Sequence, residues 1–512
     1  MTCDFWILAK KKIFTNKYMD PLIVIGGGIA GVTCAKTFSI DRPNHRVILV
    51  SASAVVKTIA NLKTLGRSID MFDVIEQNAN SLKSSNLQVL MNKKVIRLDS
   101  NGHRIQLDDG QWLKYSKLCI CTGAKPRTIK VDDQDARQFI RYIRDTQTAK
   151  YFTKLLAGSR RIIVAGNGGI ATEVVYAVEN VEIIWAIRET TIGAVFFDAG
   201  AAKFFTEFLN DHGTTTKQET TGKPIKRARF GQIDIDDNLF KNEFGISLGP
   251  DWSQGLNLKG RESRKKVMIE TKVEIVNVYR TIESIPDIIS NKMDLDKNGP
   301  WNIYVELTNG KIFGCDMIIV AIGVTPNSDV FVDDKNYLSL QLATDKGILI
   351  DREMRTNLND IYAAGDVCTV NWPQSSHWFQ MRLWTQARQM GFYAAKCIQW
   401  HMNLINSDNP NLYFNFDVFA HVTQFFGFRT ILLGLYDGQK MNTDDYKILC
   451  RVIPREVYIK VILKNGQMKG AILIGDNNLE ETFEFLIYNQ IDLTRFGDHL
   501  LDDHLDVEDF FD

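Results

Sequence analysis

The chain has 512 residues, which is too long for one hydrophobic core and predicts about two to four domains of roughly 100 to 200 residues each. Because 61 Lys and Arg residues balance 61 Asp and Glu residues, no global field recruits nucleic acid or an anionic membrane. No apolar run reaches the roughly 18 residues that a membrane-spanning helix needs. We therefore expect neither direct nucleic-acid binding nor a membrane.

The N-terminal residues 1–18 are predicted to be a disordered extension, since the first predicted strand begins just beyond Met19. Their apolar run, Phe5 to Leu8, is shorter than the roughly 7 to 15 apolar residues of a signal peptide. The cysteines are scattered along a long chain, which favours a reducing compartment. We expect the cytoplasm and nucleus.

The first motif is a glycine-rich turn between an apolar strand over 22–25 and a helix over 33–39, and a second strand follows over 46–50. In this GxGxxG pattern the first glycine permits a tight turn, the second lets the backbone approach a pyrophosphate, and the third allows close helix packing. The helix N-terminus supplies N–H donors. The predicted cofactor contacts are Gly26, Gly28, Ile29, Ala30 and Gly31.

The second strand ends at Ser51, where an acidic residue usually accepts hydrogen bonds from the adenosine ribose. The hydroxyl of Ser51 is predicted to bond the ribose once, more weakly than a carboxylate does. A serine in place of the usual acidic residue is therefore expected to lower the affinity for the adenine half of the ligand.

A second glycine-rich turn, GxGxxA, lies about 140 residues further on, again after an apolar strand. Two dinucleotide sites in one chain suit an electron relay in which one ligand is the flavin and the other is the nicotinamide. Arg188 favours NADPH by pairing with a 2′-phosphate, whereas Glu189 is suited to the ribose diol of NADH. The predicted contacts are Gly166, Gly168, Gly169, Ile170, Ala171 and Arg188.

Three further signatures join apolar strands to glycine turns: TGxxP over 122–126, AxGxxPN over 321–327 and YAAGDV over 362–367. With the two glycine-rich turns, and in this order over about residues 20–400, they resemble the pyridine nucleotide-disulphide oxidoreductase family of flavoproteins. The resemblance implies FAD and NAD(P)H as cofactors. It also implies an α/β fold with two Rossmann-like dinucleotide-binding domains and a small α+β C-terminal domain.

By that resemblance, residues 19–149 and 323–405 form a discontinuous FAD-binding domain, and residues 150–322 form the NAD(P)-binding domain. Asp366 would bond the ribityl or pyrophosphate part of FAD, and it is also predicted to be the N-cap of a helix over 378–396 that covers the isoalloxazine. Further implied cofactor contacts are Val95, Thr122, Gly123, Gly323 and Gly365.

The redox cysteine pair of disulphide reductases is missing. Residues 51–65 contain no Cys, and none follows Gly168 before Cys315. Cys119 and Cys121 share one face of a predicted buried strand, so we interpret them as packing residues. Lys57 is predicted to lie near flavin N5, as a basic residue does in related members, with a solvated surface Lys as the alternative.

Polar residues over about 214–266 form a predicted insertion, interpreted as a solvated loop or a docking surface. Residues 406–512 are predicted to form the C-terminal domain, with a hairpin on Asn465-Gly466 and an acidic tail. His421 is interpreted as a core or interface histidine rather than a catalyst.

The nearest resemblance is to the animal pyridine nucleotide-disulphide oxidoreductase domain-containing subfamily, which implies oxidative-stress defence and a tRNA ligase complex as partner. The predicted function is hydride transfer from NAD(P)H to FAD and then to O2 or another acceptor, without a disulphide relay. The alternative is a redox-sensing FAD/NAD(P)H-binding scaffold with little turnover. No metal site is predicted.

Overall fold

The computed structural model describes residues 20–82, 84–209, 252–253, 256–286, 300–332, 339–403 and 416–502. The predicted extension over 1–18, most of the predicted insertion and the end of the acidic tail lie outside the described residues. None of the helices within these ranges has both the length and the apolar character needed to cross a membrane.

Strands outnumber helices among the described elements, and several run in succession without an α-helix between them. The described helices are α1 Ile29–Asp41, α2 Thr146–Leu156, α3 Gly169–Ala177, α4 Ala199–Leu209, α5 Trp384–His401 and α6 Glu480–Asn489. The strands of the first half are β1 Leu22–Ile25, β2 Val47–Val50, β3 Val55–Thr64, β4 Asp70–Asn78, β5 Leu87–Leu90, β6 Val95–Asp99, β7 Arg104–Leu107, β8 Trp112–Lys114, β9 Lys117–Ile120, β10 Ala124–Pro126, β11 Ile140–Arg141, β12 Arg161–Ala165 and β13 Glu182–Ala186. Those of the second half are β14 Lys266–Glu270, β15 Ile275–Tyr279, β16 Ile303–Leu307, β17 Ile312–Cys315, β18 Met317–Val320, β19 Val324–Pro326, β20 Ile348–Ile350, β21 Ile361–Ala363, β22 Cys368–Val370, β23 Ala420–Phe425, β24 Phe428–Gly434, β25 Lys447–Ile453, β26 Val457–Lys464 and β27 Gln467–Ile474.

The chain divides into two compact units, and the first contains the described parts of 20–125 and Thr325–Val418. Its main sheet is parallel, with the order β21-β9-β1-β2-β5. All residues of β1 and β2 are buried, as expected for parallel strands covered on both faces, which read as continuous apolar runs. α1 packs on α5 at a close crossing, where a Cβ on Gly391 would lie 2.3 Å from the Ala30 carbonyl oxygen.

The second unit contains the described parts of 126–324 and 419–502. Its parallel sheet has the order β11-β18-β12-β13-β14, and an antiparallel sheet of β15, β16 and β17 accompanies it. The C-terminal sheet, ordered β23-β24-β27-β26-β25, belongs to the same unit. The two parallel sheets with their helices confirm the α/β class and the Rossmann-like domains.

Aromatic side chains join the C-terminal sheet to the rest of the second unit. The Phe197 ring lies 4.6 Å from that of Phe425, and the Phe205 ring lies 4.8 Å from that of Phe426, measured between centroids. Aromatic contacts of this kind add to the area that they bury. The sequence-based division placed these two parts in separate domains, whereas their packing makes one unit.

Two boundaries differ from the sequence-based prediction. The first segment of the first unit ends at Lys125, whereas the prediction placed that boundary at 149, because β11 pairs with β18 of the second unit. The last helix of the first unit begins at Trp384 rather than at 378. The Gln386 side chain bonds the Phe379 carbonyl at 2.9 Å and the Met381 N–H at 2.9 Å, which holds the preceding segment outside the helix.

The hairpin prediction is confirmed. β26 and β27 are antiparallel and pair Lys464 with Gln467 across the turn. Asn465 and Gly466 have φ angles of 53° and 73°, which are the left-handed values that a two-residue turn of this type requires.

Candidate functional site

The first glycine-rich turn joins β1 to α1 in the first unit. Gly26 has a φ of +120°, and a Cβ there would lie 2.0 Å from the Cys121 carbonyl oxygen. A Cβ on Gly31 would lie 2.0 Å from the Gly26 carbonyl oxygen. A side chain is therefore excluded at Gly26 by the tight turn, and at Gly31 by the close approach of the helix to the strand.

Gly28 leaves open space at the N-terminus of α1. A Cβ on Gly28 would meet no described atom within 4 Å. Gly28 is the N-cap, no side chain caps the helix, and its first turn, which begins with Ile29 and Ala30, carries no acidic residue. Since the first N–H groups of a helix have no acceptor within it, this end of α1 fits the pyrophosphate of a dinucleotide.

Gly365 and Asp366 lie against this same helix end. A Cβ on Gly365 would lie 2.7 Å from the Ala30 Cβ, and Asp366 follows directly. Burial raises the pKa of the Asp366 carboxyl to about 6, and the nearby Arg382 opposes that rise. No described side chain or N–H donates a hydrogen bond to this carboxylate. A half-buried carboxylate without a donor fits a ligand that supplies hydroxyl groups, as the ribityl chain of FAD does.

The prediction that Asp366 is the N-cap of the following helix is wrong. The N-cap of α5 is Leu383, and Asp366 instead precedes β22. Arg382 fixes the backbone here, since its Nε donates to the Asp366 carbonyl at 2.8 Å and its Nη2 pairs with Asp345 at 2.7 Å. Sequence reasoning missed Arg382 because its partners are distant in the chain.

Thr122 and Gly123 are tied to Asn327 in the first unit. The Thr122 hydroxyl donates to the Asn327 carbonyl at 2.8 Å, and the Asn327 amide donates back to the Thr122 carbonyl at 3.0 Å. Gly123 has a φ of +67° with open space where a Cβ would stand. The TGxxP and AxGxxPN motifs thus hold each other beside the end of β9.

Ser51 follows β2, and its carbonyl accepts a hydrogen bond from the Lys93 N–H at 3.0 Å, which ties it to the segment that leads into β6. The Ser51 hydroxyl is buried, donates to the Ser53 carbonyl at 3.2 Å and accepts from the Ser53 N–H. The side chain therefore serves the loop that follows β2, and the ribose contact of Ser51 stays a prediction. Val95 is buried on β6 opposite Leu107.

Lys57 lies on β3, and its N–H donates to the Gly27 carbonyl of the first glycine-rich turn at 2.8 Å. Its ammonium pairs with Glu76 of β4 at 2.9 Å, and the Lys57 side chain is 1% exposed. The alternative of a solvated surface Lys is therefore wrong. β3 and β4 form an antiparallel hairpin over the segment that contains no Cys.

The thiols near the first turn are packing groups. The Sγ atoms of Cys119 and Cys121 lie 3.6 Å apart, both residues are buried, and neither is in a disulphide. Interaction with Cys121, then with Cys34, and burial raise the pKa of the Cys119 thiol well above its ordinary value. Burial likewise raises the pKa of the Cys368 thiol. Such thiols are not thiolates at neutral pH, so they lack the reactivity of a redox pair.

The second glycine-rich turn repeats this geometry in the second unit. A Cβ on Gly166, whose φ is +125°, would lie 2.2 Å from the Ala321 carbonyl oxygen, as Gly26 does relative to Cys121. Gly168 is the N-cap of α3 with open space at its Cβ position. The first turn of α3, with Gly169, Ile170 and Ala171, carries no acidic residue. Gly323 lies two residues beyond Ala321, with a φ of +97° and open space.

Arg188 and Glu189 follow β13, within the second unit. Arg188 is 74% exposed and pairs with Glu189 at 3.2 Å and with Glu274 at 3.9 Å. Glu189 is 31% exposed and also accepts from the Asn167 amide of the turn at 3.0 Å. The structure thus brings Glu189 beside the glycine-rich turn and leaves Arg188 toward solvent.

His421 lies on β23 and is buried. Burial lowers the pKa of its imidazole to about 3, and the ring stacks near Phe196 at 6.5 Å. It is neutral at physiological pH, in keeping with its interpretation as a core residue.

Known proteins share this arrangement along nearly the whole chain. A family model described as pyridine nucleotide-disulphide oxidoreductase matches residues 20–236 and 266–391. The chain belongs to this family. The pyridine nucleotide-disulfide oxidoreductase domain-containing protein 1 of Homo sapiens is 43% identical over 506 residues, covering 96% of this chain and 97% of that protein. The protein of the same name from Drosophila melanogaster is 37% identical, covering 96% and 98%.

The solved water-forming NADH oxidase from Lactobacillus brevis has a TM-score of 0.61 at 15% identity, covering 93% of this chain and 92% of that chain. This likeness shows the fold. Pyridine nucleotide-disulphide oxidoreductases are FAD-dependent and use NAD(P)H. The resemblance in the motifs, including the likeness to the domain-containing subfamily, is therefore confirmed.

Three residues of these sites were missed by sequence reasoning: Asn167, Glu76 and Arg382. Asn167 is part of the second glycine-rich motif, but it occupies the position at which the motif allows any residue. Glu76 carried no signal, because its pairing with Lys57 depends on the register of the β3–β4 hairpin.

Proposed function

We propose that this chain is an FAD-dependent oxidoreductase in which bound FAD takes a hydride from NAD(P)H and passes the electrons to O2 or another acceptor, without a disulphide relay. The observation that carries the proposal is the repeated geometry of the two glycine-rich turns. Gly28 and Gly168 both cap helices with open space above them, and at the first of these helices Asp366 presents a carboxylate to which no described residue donates a hydrogen bond.

The chain's own residues support electron flow without a thiol relay. The cysteine-free segment after β2 forms a hairpin, on which Lys57 is buried against Glu76. Cys119 and Cys121 are buried side by side, and the pKa of the Cys119 thiol lies well above its ordinary value. The Lys57 N–H bonds the first turn, and we propose that its ammonium, held by Glu76, stabilises negative charge on a reduced ligand.

The proposal includes both NADH and NADPH as hydride donors. Arg188 is exposed enough to meet a 2′-phosphate, while Glu189 is placed to accept hydrogen bonds from a ribose diol.

The decisive experiment is an anaerobic spectral titration of the purified FAD-loaded protein with NADH and NADPH in turn. We expect full bleaching of the flavin absorbance after one equivalent of reductant per flavin. If neither NADH nor NADPH reduces the flavin, the oxidoreductase proposal is overturned. Consumption of two equivalents per flavin would contradict the absence of a disulphide relay.

We also propose a role in oxidative-stress defence in the nucleus and cytoplasm, with protection of a partner such as the tRNA ligase complex. The support is the likeness to the domain-containing subfamily, at 43% identity to the human protein. The test mixes purified ligase complex with this protein and NAD(P)H under peroxide. Ligase activity should survive longer than in a matched mixture with a variant that has lost its flavin, and equal decay would reject the role.

A redox-sensing scaffold with little turnover is the second candidate. It is favoured by the packing of the C-terminal sheet near the second turn, where a Cβ on Gly169 would lie 3.9 Å from the Phe425 ring. Occupancy of this turn can therefore alter contacts of the C-terminal sheet. Steady-state NAD(P)H consumption with and without an added quinone separates the two candidates, because a scaffold stays slow in both.

A further inference from the structure

Asn167 occupies the variable position between Gly166 and Gly168, and its side chain is directed at the loop that follows β13. Its Nδ2 donates to Glu189 Oε2 at 3.0 Å and to the Thr191 carbonyl at 2.8 Å, and its Oδ1 accepts from the Gly193 N–H at 2.6 Å. Asn167 is 6% exposed. Because buried amides need partners for both ends, this side chain is fully used within the protein.

The Glu189 carboxylate is what these contacts hold in place. An acidic residue about 20 positions after the second glycine of such a turn bonds the adenosine ribose hydroxyls of NAD, whereas a basic residue there accommodates the 2′-phosphate of NADP. Asn167 uses Oε2 of Glu189, and Arg188 reaches Oε1 at 3.2 and 3.3 Å. An ionised carboxylate has about four acceptor sites, so it retains capacity for the ribose hydroxyls.

We infer that Asn167 is a positioning residue that makes the second site select NADH over NADPH, by fixing the Glu189 carboxylate where the adenosine ribose binds. This inference rests on the proposed function, in which the second turn binds a nicotinamide dinucleotide. A carboxylate held by a buried amide accepts the ribose 2′-hydroxyl and disfavours a 2′-phosphate, since two negative charges at contact repel.

Arg188 opposes this selection only in part. It is 74% exposed, and its guanidinium is shared between Glu189 and Glu274. Exposed ion pairs are weak and mobile, whereas the Asn167 contacts are buried. The buried amide therefore determines where the carboxylate stands.

The test measures equilibrium binding of NAD⁺ and NADP⁺ to the full-length FAD-loaded protein by calorimetry, so that no turnover is needed. Asn167→Ala should raise the Kd for NAD⁺ by about tenfold and the Kd for NADP⁺ by much less. In a Glu189→Ala background, adding Asn167→Ala should change the ratio of the two Kd values by less than about twofold. Thr191→Ala is the matched control, because the carbonyl that Asn167 uses is retained.

An equal rise in both Kd values, or a ratio shift that persists without Glu189, would overturn the inference, because Asn167 would then be a structural residue only. If the parent binds NADP⁺ and NAD⁺ equally well, selection is absent and the inference also fails. If the parent binds neither, the proposed function fails first. Should Asn167→Ala not fold, Asn167→Ser keeps a small uncharged polar side chain and removes the amide that holds Glu189, and the same fall in selectivity is expected.

Discussion

Replacing Asp366 with Asn is expected to stabilise the FAD-free protein while weakening FAD binding. Burial raises the pKa of the Asp366 carboxyl to about 6 from an ordinary 3.8. Between these values the folded chain binds a proton that the unfolded chain does not. The stability that this proton brings is therefore fully present below about pH 4 and is lost as the pH rises through 6.

The magnitude follows from the pKa shift. One pH unit corresponds to about 1.4 kcal/mol, so a shift of about two units gives roughly 3 kcal/mol at pH 7. Because the side chain of Asp366 is only half-buried, we expect about half of that, near 1.5 kcal/mol. Asn has nearly the same shape without the charge, so the Asp366→Asn variant should recover this free energy.

The assay is urea denaturation of the FAD-free parent and variant between pH 4 and pH 8, together with FAD affinity from flavin fluorescence. The stability difference should be near zero at pH 4 and grow in favour of the variant up to pH 7, while FAD binds at least about tenfold more weakly. Gly28→Val is the comparison, since it should lose FAD without this pH dependence. A difference that is flat with pH, or unchanged FAD affinity in the variant, would refute the reasoning.

The other predictions concern charge and thiols. Lys57→Met should lower the free energy of unfolding by about 3 kcal/mol, because it leaves Glu76 without its ion-pair partner. The double variant Lys57→Met/Glu76→Met should regain most of this loss. Equal urea midpoints for the parent, the single variant and the double variant would contradict this prediction. If the double variant is stable but its flavin is reduced slowly in stopped flow, Lys57 acts on the cofactor. Arg188→Ala should weaken NADPH more than NADH, by about fivefold because the side chain is 74% exposed, and equal losses in calorimetry would reject Arg188 as a contact of the 2′-phosphate. A variant with Cys119 and Cys121 both changed to Ala should keep flavin reduction within about tenfold of the parent, because both thiols are buried and the pKa of the Cys119 thiol lies well above its ordinary value. Collapse of reduction in a folded, FAD-replete variant would show a redox role.

The sequence was sufficient to predict those features that depend on only a few neighbouring residues. The strand over 22–25, the turn at Gly26 and the hairpin at Asn465 were all predictable, because each depends on apolar runs or on φ values that few residues adopt. The family also followed from the sequence, since five motifs in one order are unlikely to arise by chance.

Tertiary contacts decided what the motifs left open. The start of α5 at Trp384 depends on side-chain bonds of Gln386 to the preceding segment, and no helix signal in the sequence announces them. The burial of Lys57 depends on the register that sets it opposite Glu76. From hydropathy alone, a lysine is expected at the surface. Its burial requires an ion-pair partner, and the folded chain places one beside it.

The sequence by itself determined the two dinucleotide folds and the absence of a redox cysteine pair, because glycine spacing and residue identity are local properties. Only the tertiary structure decided how the Glu189 carboxylate is held, because Asn167 reaches it across a turn and a strand. The same holds for Asp366, whose raised pKa arises from burial among segments distant in the chain. Electrostatic character depends on which groups surround a charge, and folding alone sets those neighbours.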